Sequence, residues 1–148
     1  LPSEIITAMM EKDFFSQWLG IQVIQLSEGS CTLSLIVKKQ MLNGFGIAHG
    51  GISYSLADSA LAFASNSKGQ KSLSIETSIA HIESLKEGDE IIAEAFCETE
   101  TNKLGHYQVK VYLKTEPEKT VALFKGIVYK TSKNWTISKN ILIELVKF

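Results

Sequence analysis

The stretch GGISYSLADSALAFASNS, residues 50–67, is small or apolar nearly all the way round. It reads as one helix of about five turns, with Gly69 placed to end it. A helix without a polar face cannot lie on a surface; other structure must wrap it. Asp58 is the only side chain charged at neutral pH between His49 and Lys68. Burying an unpaired carboxylate costs on the order of several kcal/mol unless it is hydrogen-bonded or protonated. Two explanations stand side by side. Asp58 is a structural aspartate bonded to backbone, in a helix that already tolerates Ser53, Ser55 and Ser59. Alternatively it is a chemical group, made a stronger base by partial desolvation.

The flanking sequence says what does the wrapping. Upstream, residues 3–19 read as helical, with Ser3 as a cap, Asp13 capping a second short helix, and a stop at Gly20. Residues 21–26 lead through a Glu28-Gly29 turn into Cys31–Leu35, which alternates apolar and polar with period two. Downstream come four more strand candidates, residues 73–82, 90–98, 106–115 and 120–129. The links Glu87-Gly88-Asp89, Lys103-Leu104-Gly105 and Glu116-Pro117-Glu118 are short, so neighbouring strands are expected to pair as antiparallel hairpins. Gly126, inside the last strand, predicts a bulge or strong bend. The reading is α+β: five or six antiparallel strands curled around one buried helix. It divides the single domain 1–148 into a helical segment 1–19, a core 20–131 and an extension 132–148 that the pattern leaves unassigned.

Composition narrows the function. With 148 residues, 45% apolar and 21% charged, a single soluble domain with a real core is expected. A net charge of −1 without a basic block lacks the footprint of a nucleic-acid binder. No apolar run approaches the roughly 20 residues of a bilayer span, and Leu1-Pro2-Ser3-Glu4 does not resemble a signal peptide. Cys31 and Cys97 lie far apart in strand-like segments and read as small hydrophobes rather than a disulfide or ligands. A cytoplasmic location is expected. The three histidines, His49, His81 and His106, show no ligand spacing, so no metal is expected.

Just before the helix runs MLNGFGIAHGG, residues 41–51. Gly50 and Gly51 let backbone approach a ligand, and free N–H groups in a helix's first turn favour an oxyanion. Paired glycines also make plain tight turns, and a lone His49 is more often structural than catalytic. Gly50 and Asp58 are roughly 12 Å apart along a helix axis, whereas groups acting on one carbonyl must each lie within about 3 Å of it. If both act, the helix start of one subunit must meet the helix middle of another. A twofold homodimer with antiparallel central helices supplies two such sites.

The segment 41–69, with Asn43, His49-Gly50-Gly51 and Leu56-Ala57-Asp58, resembles the hotdog-fold thioesterases of the PaaI (phenylacetic-acid-degradation) branch. A weaker similarity runs from about Met10 to Tyr129. The resemblance implies a hotdog fold and an acyl-CoA thioesterase. Asp58 would be the nucleophile or general base, and the partner's Gly50 amide would polarise the carbonyl. Asn43 would orient the thioester, with Gly51 beside it in substrate binding. His49 would shape the loop, and Ser74 would hold water. Coenzyme A would be part of the substrate, with no separate cofactor, and two dimers would form a tetramer.

Residues 79–84, Ile-Ala-His-Ile-Glu-Ser, depart from the family's Asp, apolar pair and Arg-Pro. The absent Arg removes an expected contact to coenzyme A phosphates, for which Lys68, Lys86 and Lys103 are candidate replacements; His81 stands where relatives often carry an aromatic residue. Two other readings are carried alongside: a non-catalytic acyl-CoA-binding hotdog module, and a hotdog dehydratase or hydratase using His49 and Asp58 as an acid–base pair. A serine hydrolase lacks its G-x-S-x-G elbow.

Overall fold

The computed structural model describes residues 1–136. Two helices lead, α1 (Pro2–Lys12) and α2 (Phe14–Leu19), followed by strands β1 (Gln22–Ser27) and β2 (Ser30–Ile36). After a single 3-10 turn comes the long helix α3 (Gly50–Asn66), then β3 (Gln70–His81), β4 (Glu90–Glu100), β5 (Leu104–Leu113) and β6 (Glu116–Asn134). All six strands form one antiparallel sheet in the order β1-β2-β4-β5-β6-β3. No described helix is long and apolar enough to cross a membrane.

Strand alternation creates the concave face. Cys31, Leu33 and Leu35 of β2, Ile91, Ala93 and Ala95 of β4, and Tyr107, Val109 and Val111 of β5 are buried at every second position. They close over Leu56, Ala57, Ala60, Leu61, Phe63 and Ala64 of α3, all essentially solvent-free. Phe63 is among the largest of these, and a residue of this kind typically costs about 3–5 kcal/mol when cut to Ala. The place of Gly126 is set by this packing: a Cβ built on it would stand 2.6 Å from Leu61 Cδ2, so the strand needs glycine where the helix passes. The bulge is next door rather than at Gly126. It lies in β3 between Ser74 and Glu76, opposite Ile127 and Val128.

Three local expectations are corrected. Leu1, not Ser3, caps α1, because Pro2 suits the first helical position and Ser3 lies inside the helix. The β5–β6 turn is at Lys114-Thr115, with Glu116 already paired to Leu113; Pro117 falls in the irregular start of β6. The third correction is topological. β3 does not pair with β4 but with β6, at the far edge of the sheet, while β4 lies between β2 and β5. The intervening segment, residues 82–89, is a crossover rather than a hairpin loop, and its backbone is committed along the way. Ile82 N–H donates to Val121 O at 2.9 Å, Leu85 O accepts from Ala48 N–H at 2.8 Å, and Gly88 N–H donates to Val37 O at 2.8 Å. Its Gly88 sits at φ +90°, a turn conformation glycine adopts without strain. This crossover passes the start of α3 and supplies one wall of the cleft described next.

The core continues beyond the expected boundary at residue 131, since β6 runs to Asn134 and Trp135 Nε1 donates to Asn66 Oδ1 at 2.9 Å. The apolar positions 137–145 of the extension lie outside the described residues. Both cysteines are free. Burial pushes the Cys31 thiol up to about 12, which leaves it protonated and inert.

Candidate active site

The site begins with the loop 41–49. Asn43 Oδ1 accepts from Phe45 N–H at 2.9 Å and Ile47 N–H at 3.4 Å, while Asn43 N–H donates to Ile47 O at 2.7 Å. The side-chain carbonyl is therefore committed to closing the loop, and the Nδ2 donor is what Asn43 has left to offer. His49 is the N-cap of α3: its Nδ1 accepts from Gly51 N–H at 2.8 Å. That bond places the ring proton on Nε2 and occupies the Gly51 amide. Gly50, at the first helical position, has no acceptor for its N–H among the described residues. A Cβ on Gly50 would meet His81 Nε2 at 3.1 Å, and Ser53 Oγ lies 3.3 Å from His81 Nδ1. Asn43, His49, Gly50, Ser53 and His81 line an open cleft of about 290 Å³, closed on its other side by residues 82–85 of the crossover.

Asp58 is elsewhere on the helix, in its middle and half-buried. Burial raises its pKa above the ordinary carboxylate value, and the negative charge of Asp13 adds to the rise. No hydrogen bond from a described residue offsets either effect. The structural explanation for this residue, a carboxylate bonded to backbone or capping an element, is thus not what the protomer contains.

Asp58 lies one turn from Tyr54 on the same face of α3, and the Tyr54 hydroxyl is hydrogen-bonded to Thr77 of β3. Further along, Ser72 N–H donates to Asn66 Oδ1 at 2.9 Å. Ser72 and Thr77 are an odd number of residues apart, so both reach the helix only because the bulge between Ser74 and Glu76 resets the alternation. Ser74, two residues after Ser72 and before the reset, shares the helix side of β3. It is exposed in the protomer, flanked by the exposed Leu73 and Ile75 on this edge strand.

Within one chain, then, the structure gathers Asn43, His49, Gly50 and Gly51 at one end of α3, and sets Asp58 and Ser74 along its middle. Sequence reasoning did not see His81 over Gly50, Tyr54 tied to Thr77, or Asp13 acting on Asp58. The first two follow from β3 moving to the outer edge, which no local pattern announces. Asp13 was legible as a cap, and its second neighbour was not. Lys68, a candidate phosphate contact, is already engaged by Glu100 at 2.9 Å, which raises the lysine's pKa and lowers that of the glutamate. Among the described residues no cluster of three His, Cys, Asp or Glu side chains could hold a metal ion.

Comparison with known proteins agrees with this fold. The family profile described as Thioesterase superfamily matches residues 45–120, from the loop through the crossover to β6. The acyl-coenzyme A thioesterase PaaI of Escherichia coli is 36% identical over 119 residues, 80% of this chain and 84% of that protein. The structure of the E. coli PaaI protein superposes with a TM-score of 0.86 at 32% identity, covering 91% of this chain and 96% of that one. A phenylacetic acid degradation protein PaaI from Thermus thermophilus gives a TM-score of 0.76 at 33% identity over 80% of this chain and all of that one. With its antiparallel sheet closed on one helix and the loop matched to the same profile, this chain belongs to the thioesterase superfamily, as a hotdog-fold thioester hydrolase of the PaaI type.

Proposed function

We propose that the protein hydrolyses an acyl-CoA to the free acid and coenzyme A in a site shared by two subunits, with Asp58 as general base. The observation that carries this is the state of Asp58: half-buried, raised in pKa, and unbonded to any described residue. A carboxylate so placed has retained its capacity to accept a proton. Asp58 takes a proton from water as the water oxygen bonds to the thioester carbon. The Gly50 N–H of the partner subunit, at the start of that subunit's α3, donates to the carbonyl oxygen as it gains charge. The C–S bond then breaks, and the departing thiolate takes up a proton. Asn43 Nδ2 and the bare backbone at Gly51 orient the thioester, His49 fixes the helix start, and Ser74 holds the water. A thiolate leaves readily, so one base and one polarising donor are sufficient, and we propose no metal or separate cofactor. The acyl group is an aryl-acetyl, a hydroxyaryl or a short to medium chain, in keeping with the resemblance to PaaI proteins. The assembly is a dimer paired into a tetramer.

Two experiments test this. Thiol release from an acyl-CoA panel should be abolished by Asp58→Ala in a folded protein. Tight acyl-CoA binding without turnover by the unaltered protein would instead mean a binding module, and water exchange on an enoyl thioester without thiol release would mean a hydratase. The shared site is tested by complementation. Gly50→Pro removes the amide proton at a helix position that favours proline and should be inactive alone. Mixed with Asp58→Ala, it should recover activity in about a quarter of the sites, because half the dimers are hybrid and each holds one intact site. No recovery on confirmed subunit exchange rules out the shared arrangement. Single turnover in oxygen-labelled water separates base from nucleophile, since label enters the Asp58 carboxylate only if an anhydride forms there.

A further inference from the structure

The short helix α2 is fastened to α3 immediately beside Asp58, and the fastening is made of acidic and hydroxyl groups. Asp13 caps α2, with Oδ1 accepting from Ser16 N–H at 2.9 Å and Oδ2 accepting from Ser16 Oγ at 2.7 Å. The Ser16 and Ser59 hydroxyls are in turn 2.8 Å apart, and both residues are buried. Ser59 is the residue after Asp58. The Asp13 carboxylate is thereby held two hydrogen bonds from the catalytic helix, at the position adjoining the proposed base. A cap alone needs only one carboxylate oxygen on a backbone N–H, and Ser, Thr or Asn serves as well. The second oxygen and the buried hydroxyl pair do something further: they fix where the charge stands.

We propose that Asp13 is a positioning residue for hydrolysis, holding a fixed negative charge beside Asp58 that keeps Asp58 a competent proton acceptor. The proposal rests on Asp58 being the base. A like charge disfavours the ionised form of its neighbour and so strengthens it as a base. Helix α3 packs against α1 and against strands β2 to β6, yet among the described residues Asp13 is the one charged group that acts on Asp58. Each protomer brings this charge to its own Asp58, independently of the partner that supplies the amide.

The test is the acid limb of the pH profile of kcat/KM, which reports the free enzyme, measured by thiol release from phenylacetyl-CoA or the best substrate of the panel. Asp13→Asn and Asp13→Ser each preserve a cap while removing the charge. Both should move the limb to lower pH, raising the variant-to-wild-type ratio by about two- to threefold from neutral pH down to the foot of the limb. In the unaltered enzyme, raising salt from low to molar concentration should move the limb the same way by screening the pair. That second measurement needs no variant to fold. A limb unmoved in folded Asn and Ser variants, or unmoved by salt, overturns the proposal and leaves Asp13 a cap. If instead Asp58→Ala keeps its activity, the general-base reading itself has failed.

Discussion

The middle of α3 and its C-terminal end are both enclosed and both carry polar side chains, but they use them oppositely. At the end, Asn66 donates to Ala62 O at 2.9 Å and Ser72 O at 3.0 Å, and accepts from Ser72 N–H and Trp135 Nε1, each at 2.9 Å. Ser67 accepts from Gly29 N–H at 2.9 Å and lies 2.7 Å from Ala64 O. Every group there is engaged in joining helix, sheet and first hairpin. Two turns back, Asp58 receives no hydrogen bond from the described residues, and its desolvation shows as a raised pKa. Asn66 is buried and saturated by protein partners, whereas Asp58 is half-buried and its oxygens remain open rather than held by a protein donor. A polar group saturated by protein partners is explained by folding, whereas a partly desolvated carboxylate left without one is free to act on something else.

The sharpest way to break this comparison is Asp58→Asn. It should lower kcat/KM by about a thousandfold or more while raising Tm at neutral pH. The sign follows from the raised folded-state pKa. Between the unfolded and folded values the native state holds the extra proton, so stability falls as pH rises through that window, and the ionised group is destabilising above it. The Tm gain should therefore vanish below the unfolded carboxylate value, and a gain persisting there would contradict the account. Asn66→Ala should do the reverse. It leaves Ser72 N–H and Trp135 Nε1 unpaired and should cost about 2–3 kcal/mol in urea unfolding, with turnover per folded molecule retained.

Smaller effects sharpen the same contrast. Ser74→Ala, on the exposed edge near the helix middle, should lower kcat/KM by about tenfold and change stability by less than about 0.5 kcal/mol. His49→Ala lies between the two types, since its ring is engaged by the Gly51 amide at the rim of the cleft. Loss of this cap should cost about 0.5–1 kcal/mol in unfolding and lower activity only modestly. A loss as deep as that of Asp58→Asn would make His49 a reacting group instead.

Much of the molecule was legible because it rests on local patterns. The enveloped helix followed from the absence of a polar face over residues 50–66, the strands from alternation and the turns that bound them, and the short helix α2 from Asp13 and Gly20. Asp58 stood out as the one charge in an apolar run. The candidate residues Asn43, His49, Gly50 and Gly51 were close in sequence and remain close in space, because one loop and the first turn of one helix hold them.

What tertiary structure alone decided is the company these residues keep. Strand pairing depends on which edges remain free after closure, and residues 82–89 look like a turn whether they fold back or cross over. Only closure of the sheet sent β3 to the outer edge, laid His81 against Gly50 and, through a bulge after Ser74, brought Thr77 round to Tyr54 of the helix. Likewise the sequence by itself determined that Asp58 sits on an enclosed helix and that Asp13 starts a helix. It took the packing of α2 on α3, through Ser16 and Ser59, to set one carboxylate beside the other. Chain periodicity records which side of an element is dry, and long-range electrostatics belongs to whatever that side is pressed against.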